Sequence, residues 1–322
     1  MKMINSNKQT YGVSRRQFMA TASLAMAAFC LTPRRLFAED VSPVIIIREA
    51  AATAKITVTK LRGNVSVLEG SGGNIAVLTG RDGKLLVEAG ITASRKNITE
   101  ALASISKEPV RHLINTHWHF DHTDGNEWLH SEGAEITAHE NTRKRLAVDT
   151  RVEGWKFTFP ASPAGALPTK LFTDEHKMHL NGTTLALNYY PPAHTDSDIS
   201  VEFTDADILH VADTFWNGYY PFIDYSTGGS IDGSIRAAEA NVTRVTNKTI
   251  VIPGHGPVGN KAQLIEFRDM LVSIRDKVST LKKQGRSLAE TIAAKPTADY
   301  DAKWGGWVID GTTFTSLVYA GV

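Results

Sequence analysis

Four residues with metal-binding side chains lie within six consecutive positions of the 322-residue sequence: His117, His119, Asp121 and His122. They follow residues 110–114, a largely apolar run typical of a buried strand. Side chains alternate in direction along an extended segment, so positions 117, 119 and 121 are predicted to point the same way before the chain turns into a helix. Imidazole nitrogens beside a carboxylate oxygen suit zinc or another transition metal. The spacing therefore predicts a metal site rather than isolated surface histidines near a turn.

Three further candidate donors each follow a predicted strand directly: His194, Asp213 and His255. Asp213 comes after the apolar run 208–212, and His255 comes after residues 250–254. Loops at the ends of neighbouring strands can converge on one place, so these residues repeat the placement of the first cluster. The other histidines have no comparable placement, and we interpret them as structural or solvent-exposed.

Two β-rich series, each followed by helices, must position these donors. The first contains the segments 56–59, 64–68, 74–78 and 85–87, separated by glycine-rich turns, and indicates an antiparallel meander. The second contains 171–172, 176–180, 184–190, 199–203 and 208–212. Helices are predicted over 91–106, 230–245 and 261–283, the last with apolar residues three and four apart. This order favours two face-to-face sheets with helices outside over a doubly wound parallel sheet.

Other stretches are predicted to be irregular. Residues 39–54 are expected to form a mobile opening segment with an edge strand at 45–47, and the proline-rich residues 153–169 to form a loop. We expect residues 153–169 and 215–226 to supply the pocket walls. The candidate substrate contacts are Trp216, Asn217 and Tyr219, with Asn217 or a tyrosine hydroxyl stabilising an oxyanion. The alternative is that this segment packs its aromatic rings into the core.

The first 38 residues have the composition of an export signal. They hold six of the 35 basic residues and none of the 34 acidic ones. The pair Arg15-Arg16, typical of bacterial twin-arginine signals, precedes a short apolar run at 20–31 and the small residue Ala38. We predict a signal peptide at 1–38 and a single domain at 39–322, periplasmic or secreted. The twin-arginine export machinery is the expected partner during transport, with no stable membrane anchor after cleavage.

The rest of the chain carries 29 basic against 34 acidic residues. This balance lacks the positive footprint of a protein that binds nucleic acid or an anionic membrane, so a small-molecule substrate is expected. Cys30, the single cysteine, lies inside the predicted signal. The mature chain is therefore expected to have no disulfide, no thiolate nucleophile and no thiolate metal ligand.

The donors in the order His117-x-His119-x-Asp121-His122, His194, Asp213 and His255 resemble those of the metallo-β-lactamase superfamily. The resemblance covers nearly all of the chain after the signal, including Pro-Gly-His-Gly at 253–256. It implies an α+β fold, an αβ/βα four-layer sandwich of two mixed β-sheets flanked by helices. It also implies that His117, His119 and His194 hold a first metal, that Asp121, His122 and His255 hold a second, and that Asp213 bridges them. Two zinc ions are expected, with iron or manganese as alternatives.

By the same resemblance, the expected reaction is hydrolysis. A metal-bound hydroxide would attack the acyl carbon of a small ester, lactone, thioester or amide, and Asp121 would orient the nucleophile. The alternatives are a β-lactamase, an iron-binding oxidoreductase similar to persulfide dioxygenases, and a metal-stabilised binding protein without catalysis. β-Lactamases of the family commonly carry Cys or Ser where this chain has Asp213, which disfavours the first alternative.

Two more departures from the family pattern lie near the donors. Glu88 stands where relatives usually have aspartate, and we expect it to orient a donor histidine. Asp124 replaces a common glycine and is expected to add negative charge near the site.

Overall fold

The computed structural model of the protein describes residues 41–322, and the predicted signal peptide lies outside this part of the chain. The strands are β1 (Thr57–Lys60), β2 (Val65–Glu69), β3 (Ile75–Leu78), β4 (Lys84–Val87), β5 (Val110–Asn115), β6 (Glu135–His139), β7 (Thr150–Val152), β8 (Phe157–Phe159), β9 (Lys170–Phe172), β10 (Glu175–Leu180), β11 (Thr183–Tyr189), β12 (Ile199–Phe203), β13 (Ile208–Trp216) and β14 (Ile250–His255). The helices are α1 (Pro43–Ala51), α2 (Arg95–Ile105), α3 (Phe120–Thr123), α4 (Asn126–Ser131), α5 (Glu140–Leu146), α6 (Ile231–Arg244), α7 (Lys261–Lys283), α8 (Leu288–Ala293), α9 (Asp301–Trp304) and α10 (Gly311–Gly321). No helix within residues 41–322 has both the length and the apolar character needed to cross a membrane.

The strands form two large sheets and a short hairpin. The first sheet has the order β1-β2-β3-β4-β5-β6-β9, in which β1 to β4 form the predicted antiparallel meander and β5, β6 and β9 continue in parallel. The second has the order β10-β11-β12-β13-β14, antiparallel except for the parallel pair β13 and β14. Strand β8 lies within residues 153–169, which were predicted to form a loop, and pairs with β7 just before them, so the prediction was wrong at residues 157–159. Both large sheets are therefore mixed.

The inner faces of the two sheets pack against each other through aliphatic side chains. Val67 and Leu85 of the first sheet belong to the same buried cluster as Leu187 and Val201 of the second. Helices α2 and α4 pack on the outer face of the first sheet, while α6, α7 and α10 pack on the second. Each sheet thus has one face toward its partner and one toward helices. This arrangement confirms the predicted four-layer αβ/βα sandwich.

Helix α1 corrects the expectation for residues 39–54. The β-branched run Ile45–Ile47 favoured an edge strand, but residues 43–51 form a helix. Ser42 caps this helix by accepting a hydrogen bond from the Val44 amide, and Pro43 occupies a position at the helix start that suits its fixed φ angle. Val44 and Ala51 are buried against the rest of the protein. Capping and tertiary packing therefore override the local strand preference.

The inter-sheet core gives a direct test of the layer assignment. Leu85 is fully buried between the sheets, whereas Leu171 of β9 is 45% exposed. We expect Leu85→Ala to lower the free energy of unfolding by about 2–5 kcal/mol, because it removes buried methyl groups and leaves a cavity. The matched control Leu171→Ala should change it by less than about 0.5 kcal/mol. Urea unfolding monitored by circular dichroism measures both, and equal losses would contradict the proposed packing.

Candidate metal centre

The histidine-rich segment connects β5 to α3. His117 and His119 lie on the connection after Asn115, whereas Asp121 and His122 lie in the first turn of α3. The strand therefore ends earlier than the sequence suggested, and position 121 is helical rather than extended. All four side chains are buried. The turn from connection to helix directs Asp121 and His122 toward His255, although the His122 ring also lies 4.2 Å from that of His117.

The structure brings all seven predicted donors together. Donor atoms lie within 4.8 Å of one another in the group His117, His119, His194 and Asp213, and in the group Asp121, His122 and His255. A third group joins His117 and His122 to Glu88, so the first two groups adjoin. Asp213 Oδ2 lies 3.3 Å from His194 Nε2 and 3.4 Å from His255 Nε2, so this carboxylate stands between the groups. These two groups have the membership that the family resemblance implies for two metals.

Strands β13 and β14 bring Asp213 and His255 to the same edge because they run in parallel. The register shifts at Ala212, whose φ angle is +44°, immediately before Asp213. Gly254 faces this carboxylate closely: a Cβ atom there would lie 1.8 Å from Asp213 Oδ1. Glycine at 254 is thus required for the aspartate to reach its position between the two groups.

Two donor histidines are oriented by partners on one loop. His119 Nε2 lies 3.1 Å from Asp224 Oδ2, which also accepts a hydrogen bond of 2.6 Å from the Thr227 hydroxyl. His194 Nδ1 donates to the Phe222 carbonyl at 2.8 Å, which leaves its Nε2 facing His119 Nδ1 at 2.9 Å. Such partners fix the ring orientation of a metal ligand and select the nitrogen that binds. The sequence analysis missed Asp224, whose only signal was an acidic residue within an aromatic loop.

Glu88 contacts a donor histidine, as expected. Its fully buried Oε1 lies 3.2 Å from His122 Nδ1, and the Thr116 hydroxyl donates to the same carboxylate. The Glu88 φ angle of +81° is a backbone conformation that favours glycine, so the surrounding structure holds the residue at some conformational cost. The longer side chain is accommodated by this backbone position.

Asp124 has a different role from the one expected. Its carboxylate accepts a hydrogen bond of 3.1 Å from Arg48 of α1 and one of 2.9 Å from the Thr92 amide. The charge is therefore paired with a cation. Asp124 connects helix α1 to the loop that follows α3.

The carboxylates of the cluster favour positive charge on two of its histidines, His122 and His255, but not on His117. Burial lowers the pKa of His117 well below its usual value. Burial also opposes protonation of His122, but the carboxylates of Asp213, Asp121 and Glu88 outweigh it and raise the pKa of His122 well above the usual value. Burial likewise acts against protonated His255, yet Asp213 and Asp121 raise its pKa to about 9.

Buried donor atoms without a hydrogen-bond partner also indicate that the donor set fits a metal ion. Ten buried side-chain atoms of the described residues lack a hydrogen-bond partner, and four of them belong to this cluster: His117 Nε2, His122 Nδ1, His122 Nε2 and Asp213 Oδ1. Buried polar atoms are almost always satisfied, so unpaired imidazole and carboxylate atoms gathered at one point suit a bound cation. The residues could therefore hold a metal cofactor, and they suit zinc.

A cavity of about 560 Å³ opens onto Asp121, Asp213 and His255. Of the three candidate substrate contacts, Trp216 and Tyr219 line it. The structure does not bring Asn217 to the cavity wall: its amide donates to the Pro257 carbonyl at 2.7 Å, so it supports the loop after His255 instead. The neighbouring Phe215 and Tyr220 pack into the core, so both interpretations of this aromatic segment hold for different residues.

The predicted pocket walls are only part of the lining. Trp155 comes from the loop at 153–169, and Trp216, Tyr219 and Phe222 come from 215–226. Sequence reasoning missed the other lining segments, which include helix α1, parts of 54–57 and 69–74, and residues 306–309. Helix α1 and residues 306–309 carry no motif, and both reach the cavity only through tertiary packing.

Comparisons with known proteins agree with this geometry. The family model of the metallo-beta-lactamase superfamily matches residues 68–259. The sec-alkylsulfatase Pisa1 from Pseudomonas sp. is similar in structure, with a TM-score of 0.63 and 14% identity over 85% of this chain, which spans 51% of that protein. A metallo-beta-lactamase from Pontibacter korlensis has a TM-score of 0.55 and 20% identity over 67% of this chain and 99% of its own. The DIM-1 metallo-beta-lactamase has a TM-score of 0.53 and 20% identity, covering 67% of this chain and 97% of its own. These likenesses concern the fold, and the chain spans about half the length of the alkylsulfatase.

The loop partner Asp224 provides a test of the site. We expect Asp224→Asn to weaken zinc binding by about 10–100-fold, because the His119 ring loses the carboxylate that fixes its orientation. Asp232→Asn is the matched control, since Asp232 pairs with Arg275 on the surface. Competition titration with a chromophoric zinc chelator measures both affinities. An unchanged affinity in Asp224→Asn would remove the orienting role assigned to Asp224.

Proposed function

The chain belongs to the metallo-beta-lactamase superfamily, whose members are metal-dependent hydrolases, and from this premise we propose that it is an exported dinuclear zinc hydrolase. Its proposed substrate is a small ester, lactone, thioester or amide. The observation that carries the proposal is the set of seven buried donors, three of which (Asp121, Asp213 and His255) line one cavity. The leader-like sequence at 1–38 supports export, and hence a periplasmic or secreted location.

In this proposal each group of donors binds one of the two metal ions. His117, His119 and His194 would hold the first zinc ion, Asp121, His122 and His255 would hold the second, and Asp213 would be available to both. When bound, zinc polarises a carbonyl oxygen and lowers the pKa of a water ligand to about 7. No cysteine or serine nucleophile is needed for this chemistry.

Asp121 has a second role because it reaches the cavity. Its Oδ2 lies 3.3 Å from His255 Nε2 and 3.5 Å from His122 Nε2, so two imidazoles hold the carboxylate in place. The same carboxylate lines the cavity, where it can accept a hydrogen bond from an attacking water. Asp121 therefore orients the nucleophile toward the substrate carbonyl.

The surroundings restrict access to this carboxylate. Phe120 precedes Asp121 on α3, and it lines the cavity together with Trp155, Trp216 and Phe222. These apolar side chains keep bulk water from the substrate side of the cluster, which strengthens electrostatic interactions within it. The donors are thus placed in a largely apolar cleft, as is common for small-molecule sites.

A β-lactam is the second candidate substrate, because the fold of two metallo-beta-lactamases covers two thirds of this chain. A panel of a 4-nitrophenyl ester, a lactone, a thioester, an anilide and a chromogenic cephalosporin tests the two candidates. We expect turnover of at least one carbonyl substrate outside the cephalosporin, with complete loss on chelation and recovery on adding zinc.

Matched histidine variants assign that activity to the site. His194→Ala should lower kcat/KM by more than about 100-fold, beyond the effect of losing an orienting partner. His179→Ala is the control, because His179 is an exposed histidine on β10. A zinc-replete protein inert to the whole panel would overturn the hydrolase proposal, and so would iron as the co-purified metal with persulfide oxidation. Turnover of the cephalosporin alone would indicate that the protein is a β-lactamase instead.

A further inference from the structure

Two segments near the ends of the described chain line part of the cavity. Helix α1 contributes Ile46 and Ile47, and the C-terminal segment contributes Trp307, Val308 and Ile309. Both lie outside residues 68–259, the part that matches the family model. The donors all lie inside that part, so the lining combines the metal centre with segments outside the region that the family model matches. We call α1 and residues 306–309 the terminal wall.

The terminal wall adjoins the donors directly. The Trp307 ring centroid lies 5.0 Å from that of His255 and 5.1 Å from that of Tyr219. The Trp216 ring, 5.4 Å from Trp307, completes an aromatic surface beside His255. A substrate whose reacting carbonyl lies at the donors must therefore place its adjoining group against this surface.

Helix α1 is fastened in place at several points. Arg48 pairs with Asp124 at 3.1 Å, and its guanidinium lies 5.2 Å above the centroid of Phe120, the residue before Asp121. The Ser42 hydroxyl donates to the Trp155 carbonyl at 2.8 Å. At the other end, the Ala51 carbonyl accepts a 2.5 Å hydrogen bond from Ser94. Helix α1 is thus held at both ends, and it contacts α3, the helix that carries Asp121 and His122.

The lining offers little to pair with a charged substituent. Among the described residues that line the cavity, Lys55 is the single lysine and there is no arginine. Lys55 is exposed, and Glu69 in the same lining carries the opposite charge. The other charged groups are the candidate metal donors Asp121, Asp213 and His255. Away from the donors, the lining therefore has no net positive charge for an anionic group.

From these observations we propose that the site takes an uncharged carbonyl substrate with an apolar chain, which lies along the terminal wall. This inference rests on the proposed hydrolase function and names its substrate class. Ile46, Ile47 and the 307–309 segment cover the chain. A cavity of about 560 Å³ is in the ordinary range for a small-molecule site, with room for such a chain beside the reacting group.

Binding of unreactive ketones tests the inference without turnover. The 2-alkanones from 2-butanone to 2-octanone are neutral and cannot be hydrolysed, and Trp155, Trp216 and Trp307 report on the cavity by fluorescence. With the zinc-loaded enzyme, we expect Kd to fall by up to roughly fourfold for each added methylene, because each is removed from water. 2-Hexanone should bind at least about tenfold more tightly than 5-oxohexanoate, which replaces its terminal methyl group by a carboxylate.

Variants on one helix localise the effect. In the double variant Ile46→Ala/Ile47→Ala, Kd should lose most of its dependence on the chain length of the ketone. Ile45→Ala is the matched control, because Ile45 is 44% exposed on the same helix and does not line the cavity. Thermal unfolding checks that the variants fold. If the double variant does not fold, Trp307→Ala, at a half-buried position of the same wall, makes the same test.

The two proposals fail in different ways. A Kd that does not depend on chain length, or a carboxylate that binds as tightly as the methyl group, would overturn the inference about substrate class. An equal response of the Ile45→Ala and double variants would overturn the role of the terminal wall. Ketone binding as predicted, together with no hydrolysis in the substrate panel, would overturn the proposed reaction instead.

Discussion

The structure depends on keeping seven ionisable side chains close together and away from water. Asp121, Asp213, three histidines of one group and two of the other share a space in which unbalanced charge is expensive. The carboxylates raise the pKa of His122 and His255, although burial alone would lower both, so the cluster favours positive charge inside it. Unpaired donor atoms such as His117 Nε2 indicate that a metal cation supplies the remaining balance.

The fold meets this constraint by ending its elements at one edge. Strand β5 delivers the histidine-rich connection, and the parallel strands β13 and β14 deliver Asp213 and His255. The loop with Asp224 and Phe222 then orients His119 and His194 from behind. Because Arg48 pairs with Asp124, helix α1 is joined to the loop that follows the donor helix α3. The terminal wall and the metal donors are therefore connected.

The donors were accessible to sequence reasoning because their signals are local. His117 to His122 form a compact pattern, and His194, Asp213 and His255 each come after an apolar run in the sequence, although Asp213 lies within β13 and His255 ends β14. The meander was accessible through its glycine-rich turns. Asp224 and helix α1 were missed because their roles arise from tertiary contacts, and the β-branched Ile45–Ile47 run even favoured the wrong element. Asn217 was misplaced because sequence cannot show that its amide is engaged by Pro257.

The division of the donors between two metals is the central claim, and metal content of single variants measures it most directly. Elemental analysis of the purified parent should find two zinc ions per chain. His117→Ala should lose the first metal preferentially, because this side chain belongs to the group with His119 and His194. Asp121→Ala should retain that metal and lose the second. Equal loss of both metals in both variants would contradict the division, and a parent protein that binds a single ion would contradict the dinuclear site itself.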